Sequence, residues 1–183
     1  MVRLADPIAS LAAGDRDIYE EMLGRRRSRG SGIYGPYPPL LHHPVVAQKI
    51  EQLGFYYRFD GVLPRHIYEF VVLSFASVSG IAFEWLDHEA PARKAGVPDD
   101  VIAALRRKAP DEVFAAPYRD VIAAVRLVSR YEVLPAGLQE ALVRAYGAKG
   151  LIEIVTLCGF YALLGMVIRS FEIGADDRPG SGS

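Results

Sequence analysis

Cysteine is almost missing from this chain: 183 residues carry one, Cys158. Alone it cannot close a disulfide, form a Cys-x-x-Cys redox pair or build a cysteine-rich zinc site within the chain. Excess charge of one sign is missing too. Twenty-one basic residues face 22 acidic ones, a formal net charge of -1. No bulk positive field exists to hold a phosphate backbone, so nucleic acid is not an expected partner. Long apolar runs are scarce as well. The strongest, Leu151–Ile168, contains Glu153, and its uncharged part from Ile154 to Ile168 falls short of the roughly twenty residues a bilayer needs. It reads as a helix buried in a core, and no membrane association is expected. Arg3 and Asp6 interrupt the start too early for the apolar segment of a secretory signal, so the expected location is cytoplasmic. Phosphate-cradling glycine loops, His-Glu-x-x-His and Glu-x-x-His are absent, and neither metal nor cofactor is expected.

What is present is helical. Hydrophobic residues make up 51% and charged residues 23%, the balance of a globular protein with a real core. Apolar spacing near 3.6 recurs, whereas strand alternation hardly occurs. Asp15–Leu23 suits a short amphipathic helix, and the glycine- and arginine-rich stretch Gly24–Gly32 reads, with the prolines up to Pro39, as an extended arm. Pro44 opens a helix that Asp60 and Gly61 close, and Pro64 opens the next. A break at Ser77–Gly80 separates it from Ile81–Ala95, which ends at Gly96 and contains Pro91. Short helices follow from Pro98 to Leu105, over Tyr118–Tyr131 and over Leu138–Tyr146. A turn at Gly147–Gly150 then leads into the long apolar helix Leu151–Ile173. The expected fold is all-α, a bundle of about seven or eight helices. Its expected organisation is an N-terminal helix and arm over 1–34, a helical domain over 35–174 and a flexible tail over 175–183.

The most polar part of an otherwise apolar helix is Phe83 to Ala90. Glu84 and His88 lie four apart, so their side chains leave one helical face. A carboxylate beside an imidazole orients the ring and stabilises the imidazolium, which makes a usable general acid or base. The same spacing also arises in ordinary helix-surface contacts. Glu69, set among Tyr68, Phe70, Val71 and Val72, is a charge in an apolar setting; it must be paired, protonated or at the helix edge. If the helices on either side of Ser77–Gly80 form a hairpin, Glu69 approaches His88.

The run from Gly35 to Pro44, then Glu69-Phe-Val-Val-Leu, then Glu84-Trp-Leu-Asp-His88 through Gly96, resembles the carboxymuconolactone decarboxylase family. That family shares the alkylhydroperoxidase-D-like fold. The resemblance extends over residues 32 to 173, including Glu153 and Tyr161. It implies an all-helical enzyme without cofactor, assembled as a trimer or hexamer. The peroxidase branch carries Cys-x-x-Cys-x-x-x-His; Ile81 and Glu84 occupy the cysteine positions here, so the thiol chemistry is not expected. The decarboxylase branch looks like Glu-x-x-x-His, which Glu84 and His88 reproduce. The resemblance therefore implies a lyase acting on a small carboxylated lactone or aromatic-degradation intermediate. His88 would donate the proton, Glu84 orient it and Glu69 tune the supply. Arg58, Arg65 or an arginine of Arg25–Arg29 would meet the substrate carboxylate, and Trp85 with neighbouring aromatics would line the pocket. The alternatives are an alkylhydroperoxidase-type antioxidant and a non-catalytic ligand-binding member of the fold.

Overall fold

A computed structural model describes Leu4 and residues 6–177. Among these the secondary structure is helical, with eight α-helices and no strand: α1 (Ala13–Arg27), α2 (Tyr37–Leu40), α3 (Pro44–Phe55), α4 (Arg65–Ser79), α5 (Ala82–Lys94), α6 (Asp99–Arg106), α7 (Tyr118–Val128) and α8 (Ala136–Ser170). The all-α expectation holds. Two compact units result, one of described residues up to Tyr56 with those from Leu164 on, the other Tyr57–Leu163.

In the first unit Met22, Tyr37, Leu41 and Ala47 form a buried cluster, flanked by Ile8, Ile18, Tyr19, Ile33 and Leu40. Two segments expected to be extended are helical instead. α1 continues to Arg27, because Arg25 binds Glu21 one turn back at 2.9 Å and Glu51 of α3 at 3.0 Å. Three arginines in its last turn also suit the negative end of the helix. Tyr37–Leu40 forms one turn, where Pro38 and Pro39 fall at early positions that need no N–H donor. Of the expected tail, Ala175–Asp177 forms a 3-10 turn, and residues 178–183 lie outside the described ones.

The second unit holds α4 to α7 and most of α8. α4 starts after Pro64 and ends at Gly80, whose φ of 69° is the left-handed cap that only glycine adopts at no steric cost. Ten consecutive residues of α4, Ile67 to Ala76, are buried, which places this helix at the centre of the unit. Phe70 packs on Tyr118 at 4.6 Å and on Phe114 at 6.1 Å. The turn ahead of α4 is held by Glu153 of α8, whose carboxylate accepts the backbone N–H groups of Val62 and Leu63. The expected turn at Gly147–Gly150 contracts to Gly147, where φ 72° and ψ 170° interrupt α8.

By length and composition α8 could cross a membrane, and half of its most apolar window is buried within the protein. One side carries Ile154, Leu157, Cys158 and Tyr161, all buried; Ile152 and Met166, on the other, are 61% and 63% exposed.

Candidate active site

The hairpin of α4 and α5 about Gly80 does what the sequence required of it. Glu69 of α4 reaches His88 of α5, its Oε2 lying 2.7 Å from Nδ1. Both side chains are sealed from solvent, at 0% and 4% exposure. The other oxygen of Glu69 accepts from Arg65, one turn earlier on α4, at 2.5 Å. Arg65 is fixed in turn by donating to the Arg58 carbonyl at 2.6 Å and by lying 4.8 Å over the Tyr68 ring. A buried carboxylate thus has a cation on one oxygen and an imidazole on the other, which is how such a charge becomes tolerable in a core.

The far side of the ring is occupied as well. Tyr161 of α8 places its hydroxyl 3.0 Å from His88 Nε2, and the Tyr68 hydroxyl lies 2.9 Å from that of Tyr161. The His88 and Tyr161 rings meet edge to face at 5.3 Å. Glu84, one turn before His88, brings Oε2 to 3.7 Å from Nε2, outside hydrogen-bond range. Its Oε1 is buried without a hydrogen-bond partner.

The charges follow from these neighbours. Burial works to raise the Glu69 carboxyl, but His88, Arg65 and Arg58 outweigh it and hold the group below its ordinary range. Burial works to lower the His88 imidazole, and Glu69, with Glu84 and Asp87, overcomes it and raises the pKa. Glu84 has no such compensation. Burial lifts its carboxyl, His88 offsets only part of that, Asp87 adds to it, and the result is about 7. Burial also drives both phenols, Tyr68 and Tyr161, upward. At neutral pH the site therefore holds an ionised Glu69, a Glu84 shared between its two forms and two neutral hydroxyls. With Glu69 ionised, Nδ1 carries a proton and donates it, so Nε2 is the nitrogen left to exchange one.

Two expected roles change. Glu69, not Glu84, orients the imidazole: a turn of helix leaves Glu84 too far from the ring for a bond, whereas packing of α4 on α5 brings Glu69 into line. Trp85 does not join His88 either. Its indole N–H donates to Glu89 at 3.0 Å, and Arg106 lies over its ring at 5.3 Å. Glu89 also accepts from Arg93 and Arg106, so this group ties α5 to α6. Arg65 pairs with Glu69 and has a side chain 38% exposed, while Arg58 gives its backbone carbonyl to Arg65 and bears on Glu69 only through its charge. Cys158 is buried, and burial pushes its thiol up to about 12, the reverse of a reactive cysteine. Among the described residues no three His, Cys, Asp or Glu side chains gather as a metal-binding group.

Sequence reasoning gave Tyr68 and Tyr161 no role. The four-residue step from Arg65 to Glu69 was a readable signal for that ion pair, but nothing in the local pattern ties Tyr161 to a ring 73 positions earlier. No family model matches the chain, and no curated protein matches it.

Proposed function

We propose that this chain is a cofactor-free acid–base enzyme, a carboxy-lyase of the kind its sequence resembles, acting on a small carboxylated lactone or aromatic-degradation intermediate. One observation carries the reading: His88 is buried, oriented through Nδ1 by an ionised Glu69, and left with Nε2 facing Tyr161 and Glu84. Loss of carbon dioxide from such a substrate leaves an electron pair delocalised into the neighbouring carbonyl. A proton must then be delivered to carbon. A cationic imidazole fixed in a dry interior does that, and such assistance is typically worth about 10²–10⁴-fold in rate. Glu69 positions the ring and sustains its charge. Glu84, close to its own midpoint at neutral pH and 3.7 Å from Nε2, is a second proton-exchanging group beside the ring. Arg58 and the partly exposed Arg65 supply positive charge for a substrate carboxylate, alongside the ion pair that Arg65 keeps with Glu69. The same resemblance supports a homo-oligomer, a trimer or hexamer, and the balance of 21 basic against 22 acidic residues supports the absence of a nucleic-acid partner.

The test is release of carbon dioxide from a panel of carboxy-lactones, followed as a pH–rate profile. His88→Ala is expected to lower kcat by about 10²-fold or more, and Cys158→Ser to leave it unchanged. Equal rates in wild type and His88→Ala, or no turnover on any member of the panel, would overturn the proposal.

A further inference from the structure

Whatever reaction it serves, a buried imidazole that changes its proton count meets a local difficulty. Neutral, Nε2 accepts a hydrogen bond; protonated, it donates one. A fixed partner suits only one of these states, and the other leaves a buried polar group unsatisfied. Here the partner is the hydroxyl of Tyr161, at 3.0 Å, backed by that of Tyr68 at 2.9 Å. A hydroxyl both donates and accepts. When Tyr161 donates to Nε2 its oxygen accepts from Tyr68, and when Nε2 donates, both hydroxyls reverse together. The ring stays paired in either state.

We propose that Tyr161 and Tyr68 are the path by which the His88 Nε2 proton is supplied and withdrawn, Tyr161 as the contact and Tyr68 as the next carrier. This inference rests on His88 being the acid–base group. In the supply direction the Tyr161 O–H bond breaks and its proton joins Nε2. The Tyr68 O–H bond breaks and its proton joins the Tyr161 oxygen, and the Tyr68 oxygen takes a proton from hydronium or a buffer acid. Both phenols end as they began, one proton has moved, and nothing is oxidised or reduced. Burial favours the neutral form of both phenols, so the completed transfer leaves neither as phenolate.

The competing route is Glu84, whose Oε2 stands 3.7 Å from Nε2, too far for direct transfer without movement. The other groups bearing on the ring are Glu69 with its Arg65 from α4, Asp87 on α5, and Arg58 ahead of α4. Glu69 meets Nδ1, on the opposite side of the ring, while the Tyr161 hydroxyl stands at bonding distance from Nε2. The ring of Tyr68, itself buried, lies beneath Arg65, whose side chain is 38% exposed, so the far carrier packs against the partly exposed member of the site.

The experiment is imidazole NMR on the full chain labelled with nitrogen-15 histidine, without substrate. It reads the exchange lifetime of the Nε2 proton and the His88 titration. Tyr68→Phe removes one oxygen and keeps the ring. It is expected to lengthen the lifetime about tenfold or more while leaving the His88 midpoint near that of wild type. Tyr161→Phe removes the acceptor of a charge-assisted bond and is expected to lower that midpoint by about one unit. An unchanged lifetime in Tyr68→Phe, or a larger slowing in Glu84→Gln than in Tyr68→Phe, would overturn the path. If Tyr161→Phe does not fold, the comparison of Tyr68→Phe with Glu84→Gln decides alone. Slowed exchange in a protein that turns over no carboxy-lactone would sink the lyase and keep the path; normal exchange with full turnover would do the reverse.

Discussion

Replacing Glu84 with glutamine removes one titrating group from the centre of the site and keeps its shape. Burial, only partly offset by His88 and reinforced by Asp87, raises this carboxyl from 4.5 to about 7 in the folded protein. Unfolding returns it to 4.5. Between those values the native state binds more protons than the unfolded chain, so the contribution to stability is complete below 4.5 and is lost as pH rises through 7. The displacement of two and a half units, at about 1.36 kcal/mol each, amounts to about 3 kcal/mol once the group is ionised in both states. Glutamine carries no such dependence. Its amide inherits the position of an unpartnered oxygen, so the absolute stability of the variant can move either way, but the separation between the two proteins must change with pH. From about pH 5 to about pH 8, that separation is expected to shift in favour of Glu84→Gln by about 2–3 kcal/mol. Urea unfolding followed by tryptophan emission measures it directly, because the single tryptophan, Trp85, sits next to Glu84 on α5. Denaturation curves that keep the same separation at both pH values would refute the assignment of a protonated Glu84 in a dry interior.

Two further outcomes follow from the packing. A Cβ at Gly61 would lie 3.0 Å from both Glu153 Oε2 and the Tyr57 carbonyl. Gly61→Ala is expected to cost about 1–3 kcal/mol in thermal unfolding, since the carboxylate is bound to the Val62 and Leu63 amides and cannot easily withdraw. Cys158, buried and pushed up to about 12, is expected to resist an aromatic disulfide reagent at neutral pH and to react once urea opens the chain; rapid labelling of the native protein would contradict the burial.

The sequence made the helical fold legible because the apolar period, the prolines at helix starts and the glycines at helix ends all pointed the same way. Gly80 is the clearest case: a break placed on composition proves to be a left-handed cap, and the hairpin it creates delivers Glu69 to His88. The order of the partners was less legible. Spacing within α5 shows that Glu84 and His88 share a face, but the distance between them depends on side-chain reach, and 3.7 Å is no bond. Which carboxylate meets which ring nitrogen is decided by packing between helices, about which a local pattern is silent. Tyr161 arrives from α8 by the same kind of contact. Trp85 was expected to line a pocket with neighbouring aromatics; its indole N–H donates to Glu89, a partner four positions on that the local pattern could have suggested. The arginine-rich end of α1 shows the opposite error. Its glycines suggested a loop, and the acidic partners Glu21 and Glu51 kept it helical.

The sulfur chemistry of this protein is displaced from where its composition would put it. With the lone thiol sealed inside α8, the described sulfur atom most open to an oxidant is the thioether of Met166, 63% exposed, while Met22 is buried. Peroxide would leave its trace there as a sulfoxide, a reversible lesion that turns an apolar spot on the helix surface polar. Oxidation would then be recorded on the outside of the molecule, at an exposed thioether rather than at the buried thiol.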